Sequence, residues 1–187
     1  MNFEWIGLEG VDKAVLNDFD SGSCAFNCFL QEYAEAWRDV GEAVTYLCVD
    51  REEASRNCVT RIYGYAAINT NGLLYTDNSK KKYLQCAEIR MFAIAKQLRG
   101  HKDPTCNFSR DIFYSFLQNM YIMSMTVIGF KAIFLNSNHE GYHLYKECGF
   151  DEITDYIPPE DDDKIEIDDC TPLLLVMNED AIYDFYS

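Results

Sequence analysis

Leu84-Gln85-Cys86-Ala87-Glu88-Ile89-Arg90-Met91-Phe92-Ala93-Ile94, then Lys96-Gln97-Leu98-Arg99-Gly100-His101-Lys102-Asp103-Pro104, then Ile112, Phe113, Phe116, Leu117, Met120, Met123 and Val127 at helical spacing: this stretch decides the fold. The first part becomes continuously apolar at its end, which predicts a strand over 84–94 buried on both faces. The second part is polar and mostly basic and predicts a loop. The third predicts a long helix over 109–127 packed on the sheet, with Gly129 marking its end. A loop that leaves the carboxyl end of a buried strand and enters a helix presents unpaired backbone N–H groups and the positive end of a helix dipole, which suits a diphosphate. Arg99, His101, Lys102 and Arg110 crowd this part of an otherwise acidic chain. Taken alone, so weak a glycine signal more often marks a solvated connection.

Working outward, residues 24–38 place Phe26, Phe29, Leu30, Tyr33 and Trp37 on one helical stripe, with Asp20-Ser21-Gly22-Ser23 able to cap its start and Gly41 to end it. Before it lies a short apolar stretch over 5–8. Segments 43–49 and 59–69 are rich in β-branched and aromatic residues and read as an antiparallel pair, Asn71-Gly72 as a turn, and 76–82 as a polar loop. Downstream come a strand over 131–135, a short helix over 139–147 stopped by Gly149, a strand over 150–157, an acidic loop over 158–169 and a last strand over 173–177. The order β-α-β-β-β-α-β-α-β-β predicts an α/β fold, a mixed sheet with helices on its faces, in a single domain spanning 1–187.

The chain has 187 residues, 48% of them hydrophobic and 25% charged, enough for one core of ordinary size. Its formal net charge of -15 repels phosphate backbones, which disfavours nucleic acid and favours a cationic substrate or partner. Met1-Asn2-Phe3-Glu4-Trp5 lacks the basic and apolar regions of a secretion signal, and no apolar run approaches the ~18 residues of a membrane span, so a soluble cytoplasmic protein is expected. Eight cysteines without a CxxC pair in a chain of this size point to reduced thiols rather than to disulfides, zinc or thioredoxin chemistry. His139 and His143 share a helix face but find no third ligand, and Asp161, Asp162, Asp163, Asp168 and Asp169 do not have EF-hand spacing, so no metal is expected. The aromatic tail Tyr183-Asp184-Phe185-Tyr186 docks on the body or on a second subunit, which would make a homodimer.

Two runs carry a resemblance to a known family. Gln97-Leu98-Arg99-Gly100-His101-Lys102 is similar to the Q/R-x-x-G-x-G/A acyl-CoA loop of the GNAT family of acetyl-CoA-dependent N-acetyltransferases, and Leu144-Tyr145-Lys146-Glu147-Cys148-Gly149-Phe150 to its LYxxxGF signature. The strand order matches as well, and Ile62-Tyr63-Gly64-Tyr65-Ala66-Ala67 is similar to the family's second long strand. The resemblance covers about 5–177. It implies a GNAT-type fold, acetyl-CoA as cosubstrate, and transfer of the acetyl group to a primary amine by direct attack in a ternary complex. A narrower likeness, Phe19-Asp20-Ser21-Gly22 with Phe29-Leu30 and Ala34, is to the opening of GNAT toxins that acetylate aminoacyl-tRNA. The loop departs from the family where Lys102 replaces Gly or Ala and where Asp103-Pro104-Thr105-Cys106-Asn107 precede the helix. That departure motivates the alternative of a catalytically silent acyl-CoA-binding or protein-interaction module.

By the same resemblance Tyr145 is the general acid that protonates the departing thiolate, and Glu88 the general base. Phe92, Ala93 and Ile94 lend their backbone to the pantetheine arm, Gln97, Arg99, Gly100, His101 and Lys102 hold the diphosphate, and Asn136 and Asn138 contact pantetheine. Each has a plain competing reading: a core tyrosine packed on the sheet, an exposed strand carboxylate paired with a Lys or Arg, and turn or N-cap chemistry for the asparagines.

Overall fold

The computed structural model describes residues 2–100, 107–153, 156–157 and 170–177. The chain divides into two compact units, one formed by Met1–Asn69 with Arg90–Asn119 and the other by Thr70–Ile89 with Met120–Ser187. The strand order is β1-β2-β3-β4-β5-β8-β6, with β7 pairing β3 off this path. Strands β3 (Gly64–Asp77) and β4 (Lys80–Ile94) run through both units.

In the first unit β1 (Phe3–Gly7) pairs antiparallel with β2 (Val44–Asp50), and β2 with β3, in register from Val44↔Ile68 to Cys48↔Gly64. One sheet face carries Leu47, Val49, Tyr65, Ala67, Ala93 and Ala95. Against it pack α1 (Lys13–Asn17) and a continuous helical segment made of α2 (Cys24–Cys28), a π turn (Phe29–Tyr33) and α3 (Ala34–Asp39), which bury Leu16, Phe29, Leu30 and Ala34. The expected stripe over 24–38 is this segment. On the other face the first half of α5 (Phe108–Thr126) buries Ile112, Phe113, Phe116 and Leu117. Phe92 meets Phe113 edge-on at 4.8 Å, Trp5 lies 4.8 Å from Phe116, and Trp5 Nε1 donates to Ser115 Oγ at 2.8 Å. A short α4 (Arg51–Ser55), capped by Asp50 and not anticipated in sequence, follows β2.

In the second unit β4 and β5 (Ala132–Ser137) are parallel, in register from Cys86↔Ala132 to Ile89↔Leu135. Strand β8 (Thr171–Val176) pairs antiparallel with β5 on one edge and with β6 (Asp151–Glu152) on the other. Helix α6 (His139–Glu147) has the bounds expected from sequence.

Three readings need correction. Asn71-Gly72 is not a turn: both lie inside β3, and the hairpin closes instead at Asn78 (φ 47) and Ser79 (φ 62), the left-handed pair a two-residue type I′ connection requires. Gly72 serves clearance, since a Cβ there would fall 2.0 Å from the Tyr83 ring. The strand expected over 59–69 begins only at Gly64. The strand expected over 150–157 is two short pieces, β6 on β8 and β7 (Tyr156–Ile157) on β3. The acidic loop over 158–169 and the aromatic tail lie outside the described residues. Among the described residues no helix is long and apolar enough to cross a membrane.

Truncating Phe113, fully buried between β4 and Phe116, should cost about 3–5 kcal/mol, whereas Val40→Ala at a site 79% exposed should stay within about 0.5 kcal/mol. Urea unfolding of the two variants checks this, and equal losses would contradict the packing of α5.

Candidate active site

In the first unit β4 stops at Ile94 because its next backbone donors turn elsewhere: Ala95 N–H to Tyr63 C=O and Lys96 N–H to Asp20 C=O, both at 2.8 Å. A 3₁₀ turn, Lys96–Leu98, follows, with Leu98 buried and Gln97 and Arg99 exposed. Gly100 then adopts φ +70, a left-handed conformation that side chains resist, and among the described residues nothing stands within 4 Å of where its Cβ would be. Phe92, Ala93 and Ile94 precede this turn. The Phe92 ring is spent on α5, and Gly64 comes so close that a Cβ there would lie 2.8 Å from Ala93 O.

The same unit holds a cavity of about 390 Å³ lined by Ala25, Cys28, Phe29, Tyr33, Trp37 and Met91. The π turn shapes it, with Ala34 N–H reaching back to Phe29 C=O, an i→i+5 bond of the kind that recurs at functional sites. Tyr65, at the centre of the core, donates its hydroxyl to Phe26 C=O at 2.8 Å and so fixes the helix just before that turn. At the rim the Arg90 guanidinium lies 5.3 Å from the Trp37 ring centroid and pairs with Glu42 at 3.2 Å.

In the second unit Asn138 caps α6: its Oδ1 accepts from Gly141 N–H at 2.9 Å. The helix ends in a Schellman arrangement, Gly149 N–H donating to Lys146 C=O and Phe150 N–H to Tyr145 C=O, with Gly149 at φ +86 and the Phe150 and Tyr145 rings 6.0 Å apart. Tyr145 is 8% exposed. Burial, helped by the nearby Cys148 thiol, pushes its phenol well above the ordinary tyrosine value, so it is a protonated donor throughout the neutral range. Gly141 makes room for it, because a Cβ there would stand 2.7 Å from Tyr145 Cε2. Glu88 is 9% exposed and accepts from Asn71 Nδ2 at 2.9 Å, which fixes the carboxylate's direction.

Among the sequence candidates, then, Phe92, Ala93, Ile94, Gln97, Arg99 and Gly100 fall together in the first unit, and Glu88, Asn138 and Tyr145 in the second. His101 and Lys102 lie outside the described residues. Glu88 is not the exposed strand carboxylate that was the competing reading. Asn138 does perform the capping that was its competing reading, with its amide nitrogen not used in that bond. The seven described cysteines are free; burial pushes the Cys86 thiol up to about 11, and that of Cys48 higher, so neither is a nucleophile near neutrality. No described group of three or more His, Cys, Asp or Glu side chains could hold a metal. Sequence reasoning missed Asn27 and Gly141. Only the likeness around Phe19-Asp20-Ser21-Gly22 pointed near the first.

No family model matches the chain, and no curated protein does. Solved structures do. A crystal structure of a bacterial toxin matches at 12% identity with TM-score 0.70, over 98% of this chain and 95% of that one. AtaT complexed with acetyl-methionyl-tRNAfMet matches at 15% identity with TM-score 0.69 over 100% of both chains. A tyrosine-to-phenylalanine mutant of AtaT, bound to the C-terminus of the antitoxin AtaR and acetyl-CoA, matches at 16% identity with TM-score 0.69, again over 100% of both. At such identities the likeness shows the fold, which is the GNAT-type α/β fold expected from the sequence.

Glycine to alanine inside a helix ordinarily stabilises by about 0.5–1 kcal/mol. Gly141→Ala should destabilise instead, because the buried Tyr145 ring has to move, while Asn138→Ala should cost about 1 kcal/mol and Asn138→Asp much less. Thermal unfolding checks all three, and a stabilised Gly141→Ala would contradict the packing described.

Proposed function

We propose that this chain is an N-acetyltransferase that moves the acetyl group of acetyl-CoA to a primary amine by direct attack. The observation that carries the reading is the likeness of fold, over the whole chain, to toxins solved with acetyl-CoA. In this reading the diphosphate is held by Gln97, Arg99 and Gly100, with His101 and Lys102 next in the chain. The pantetheine arm pairs as an added strand with the backbone of Phe92, Ala93 and Ile94, the part of β4 beyond the Ile89↔Leu135 end of the parallel register. Asn138 contributes its Nδ2, the group its capping role does not use.

The amine reaches its reactive neutral form by giving a proton to Glu88. That carboxylate is nearly buried, so water carries the proton. The amine nitrogen then attacks the thioester carbonyl, the C–N bond forms as the C–S bond breaks, the nitrogen loses its second proton to solvent, and Tyr145 Oη–H protonates the departing thiolate. Burial serves this step by keeping the phenol protonated. It also widens the gap to a thiol's ordinary value of about 8.5, so the transfer is uphill unless coupled to C–S cleavage.

A second reading narrows the acceptor to an aminoacyl-tRNA. It is favoured by the similar fold of AtaT complexed with acetyl-methionyl-tRNAfMet and by the toxin-like opening at Phe19-Asp20-Ser21-Gly22. The net charge of -15 opposed it, but residues 158–187 hold ten acidic side chains against the single Lys164. Exposed Lys80, Lys81 and Lys82 beside the β3–β4 turn offer phosphate contacts within an acidic protein.

Tyr145→Phe should lower kcat about 100- to 10,000-fold with acetyl-CoA affinity nearly unchanged, as measured by thiol release over a panel of small amines, peptides and aminoacyl-tRNAs. Wild-type turnover in that variant would remove Tyr145 from the chemistry, and cofactor binding without release on any acceptor would favour the silent module. Because the folded-state value of Tyr145 is raised, its neutral form stabilises the protein below the ordinary tyrosine value of about 10 and that contribution is lost as pH climbs above it. kcat should show no tyrosine ionisation between pH 7 and about 9, and the Tyr145 share of alkaline unfolding should vanish in Tyr145→Phe.

A further inference from the structure

We infer that Asp20, Ser21 and Asn27 are positioning residues that preset the 96–100 turn for the diphosphate of acetyl-CoA, an inference that rests on the acetyltransferase reading above. Asn27 is the hub. Its Oδ1 accepts from Ser21 N–H at 2.8 Å and from Ser21 Oγ–H at 2.7 Å, and its Nδ2 donates to Asp20 Oδ1 at 3.1 Å. Asp20 Oδ1 also accepts from Gly22 N–H at 2.7 Å, and Ser21 Oγ accepts from Ser23 N–H at 3.2 Å. Ser21 is 2% exposed and Asn27 half-buried, so the inner part of this polar knot is built into the body, while Asp20 and Gly22 face solvent.

What the knot presents outward is a pair of main-chain carbonyls. Asp20 C=O takes Lys96 N–H at 2.8 Å, and Ser21 C=O takes the Arg99 guanidinium. The start of the turn and its last side chain before Gly100 are thus anchored on one fixed segment. Gly22, at φ +78, completes the fit, since a Cβ there would stand 2.6 Å from Arg99 Nη2 and push the guanidinium off the Ser21 carbonyl. A turn ending in a left-handed glycine would otherwise have to be ordered when the ligand binds. Holding it in place beforehand removes that entropic cost and shows as affinity. Arg99 acts here through where it ties the backbone, in addition to its charge.

Calorimetric titration of acetyl-CoA into the full chain tests this, with thermal unfolding confirming that each variant is folded. Asn27→Ala should raise Kd about tenfold or more, the loss expected for a charge-assisted hydrogen bond, while kcat at saturating acetyl-CoA stays within about twofold. Gly22→Ala, which keeps every knot side chain, should do the same and serves if Asn27→Ala does not fold. The Asn27→Ala/Arg99→Ala pair should lose less affinity than the product of the two single losses, because both act on the Ser21 anchor. Wild-type affinity in both Asn27→Ala and Gly22→Ala, or losses that multiply in the pair, would overturn the inference. A wild-type chain that does not bind acetyl-CoA would overturn the proposed function itself, which keeps the two failures apart.

Discussion

At the end of β4 successive backbone donors are claimed from two directions, Ala95 by Tyr63 just before β3 and Lys96 by Asp20 in a loop far back in the chain. A strand whose ladder is interrupted this way has to turn, and it turns at a place fixed by main-chain bonds rather than by the identity of the loop residues. Gly64 enforces the same geometry from the β3 side by admitting Ala93 O where a Cβ would otherwise be. Beyond this point Gln97 and Arg99 stand exposed and Gly100 takes the left-handed conformation. A diphosphate reader made of backbone needs such a fixed start, because amide N–H groups cannot reach for a ligand the way a lysine can.

The Leu144-Tyr145-Lys146-Glu147-Cys148-Gly149-Phe150 run has two layers of meaning that the structure separates. Gly149 in the left-handed region, Phe150 N–H returned to Tyr145 C=O, and the Tyr145–Phe150 contact are what a Schellman cap demands of any helix ending here. Capping therefore accounts for the spacing of glycine and the aromatic pair with no reference to chemistry. It does not account for the hydroxyl. A phenylalanine would cap and pack as well, while the phenol is held in a setting that keeps it protonated and is given room by a glycine, Gly141, that weakens its own helix.

The fold was legible where periodicity and stop signals agree. The helix over 139–147 was read to the residue, and those over 24–38 and 109–127 to within a residue or so, because a continuous apolar stripe runs between a start signal and a glycine. Legibility failed where a residue's usual role was overridden by a partner distant in sequence. Asn71-Gly72 has the composition of a turn, but Asn71 is bound to Glu88 and Gly72 lies under Tyr83. Residues 150–157 have the composition of one strand, yet their pieces pair with β8 and β3. At the candidate site, the strand end, the turn and Tyr145 could be read from their likeness to known runs. Asn27 could not: its importance is a matter of three hydrogen bonds to residues brought near it by the turn at Gly22.

Charge was the least transferable sequence argument, because a net value says nothing of where the charges lie. Much of the acidity is in 158–187, and the β3–β4 hairpin is locally basic, so the expectation against nucleic acid has lost its footing. What the account stands on is the backbone at Gly100. The direct measurement is an amide ¹H–¹⁵N titration of the full chain with acetyl-CoA. The amide signals of Arg99 and Gly100 should shift saturably and be among the largest responders. Saturable binding that leaves those amides unmoved, or no response to acetyl-CoA at all, would contradict it.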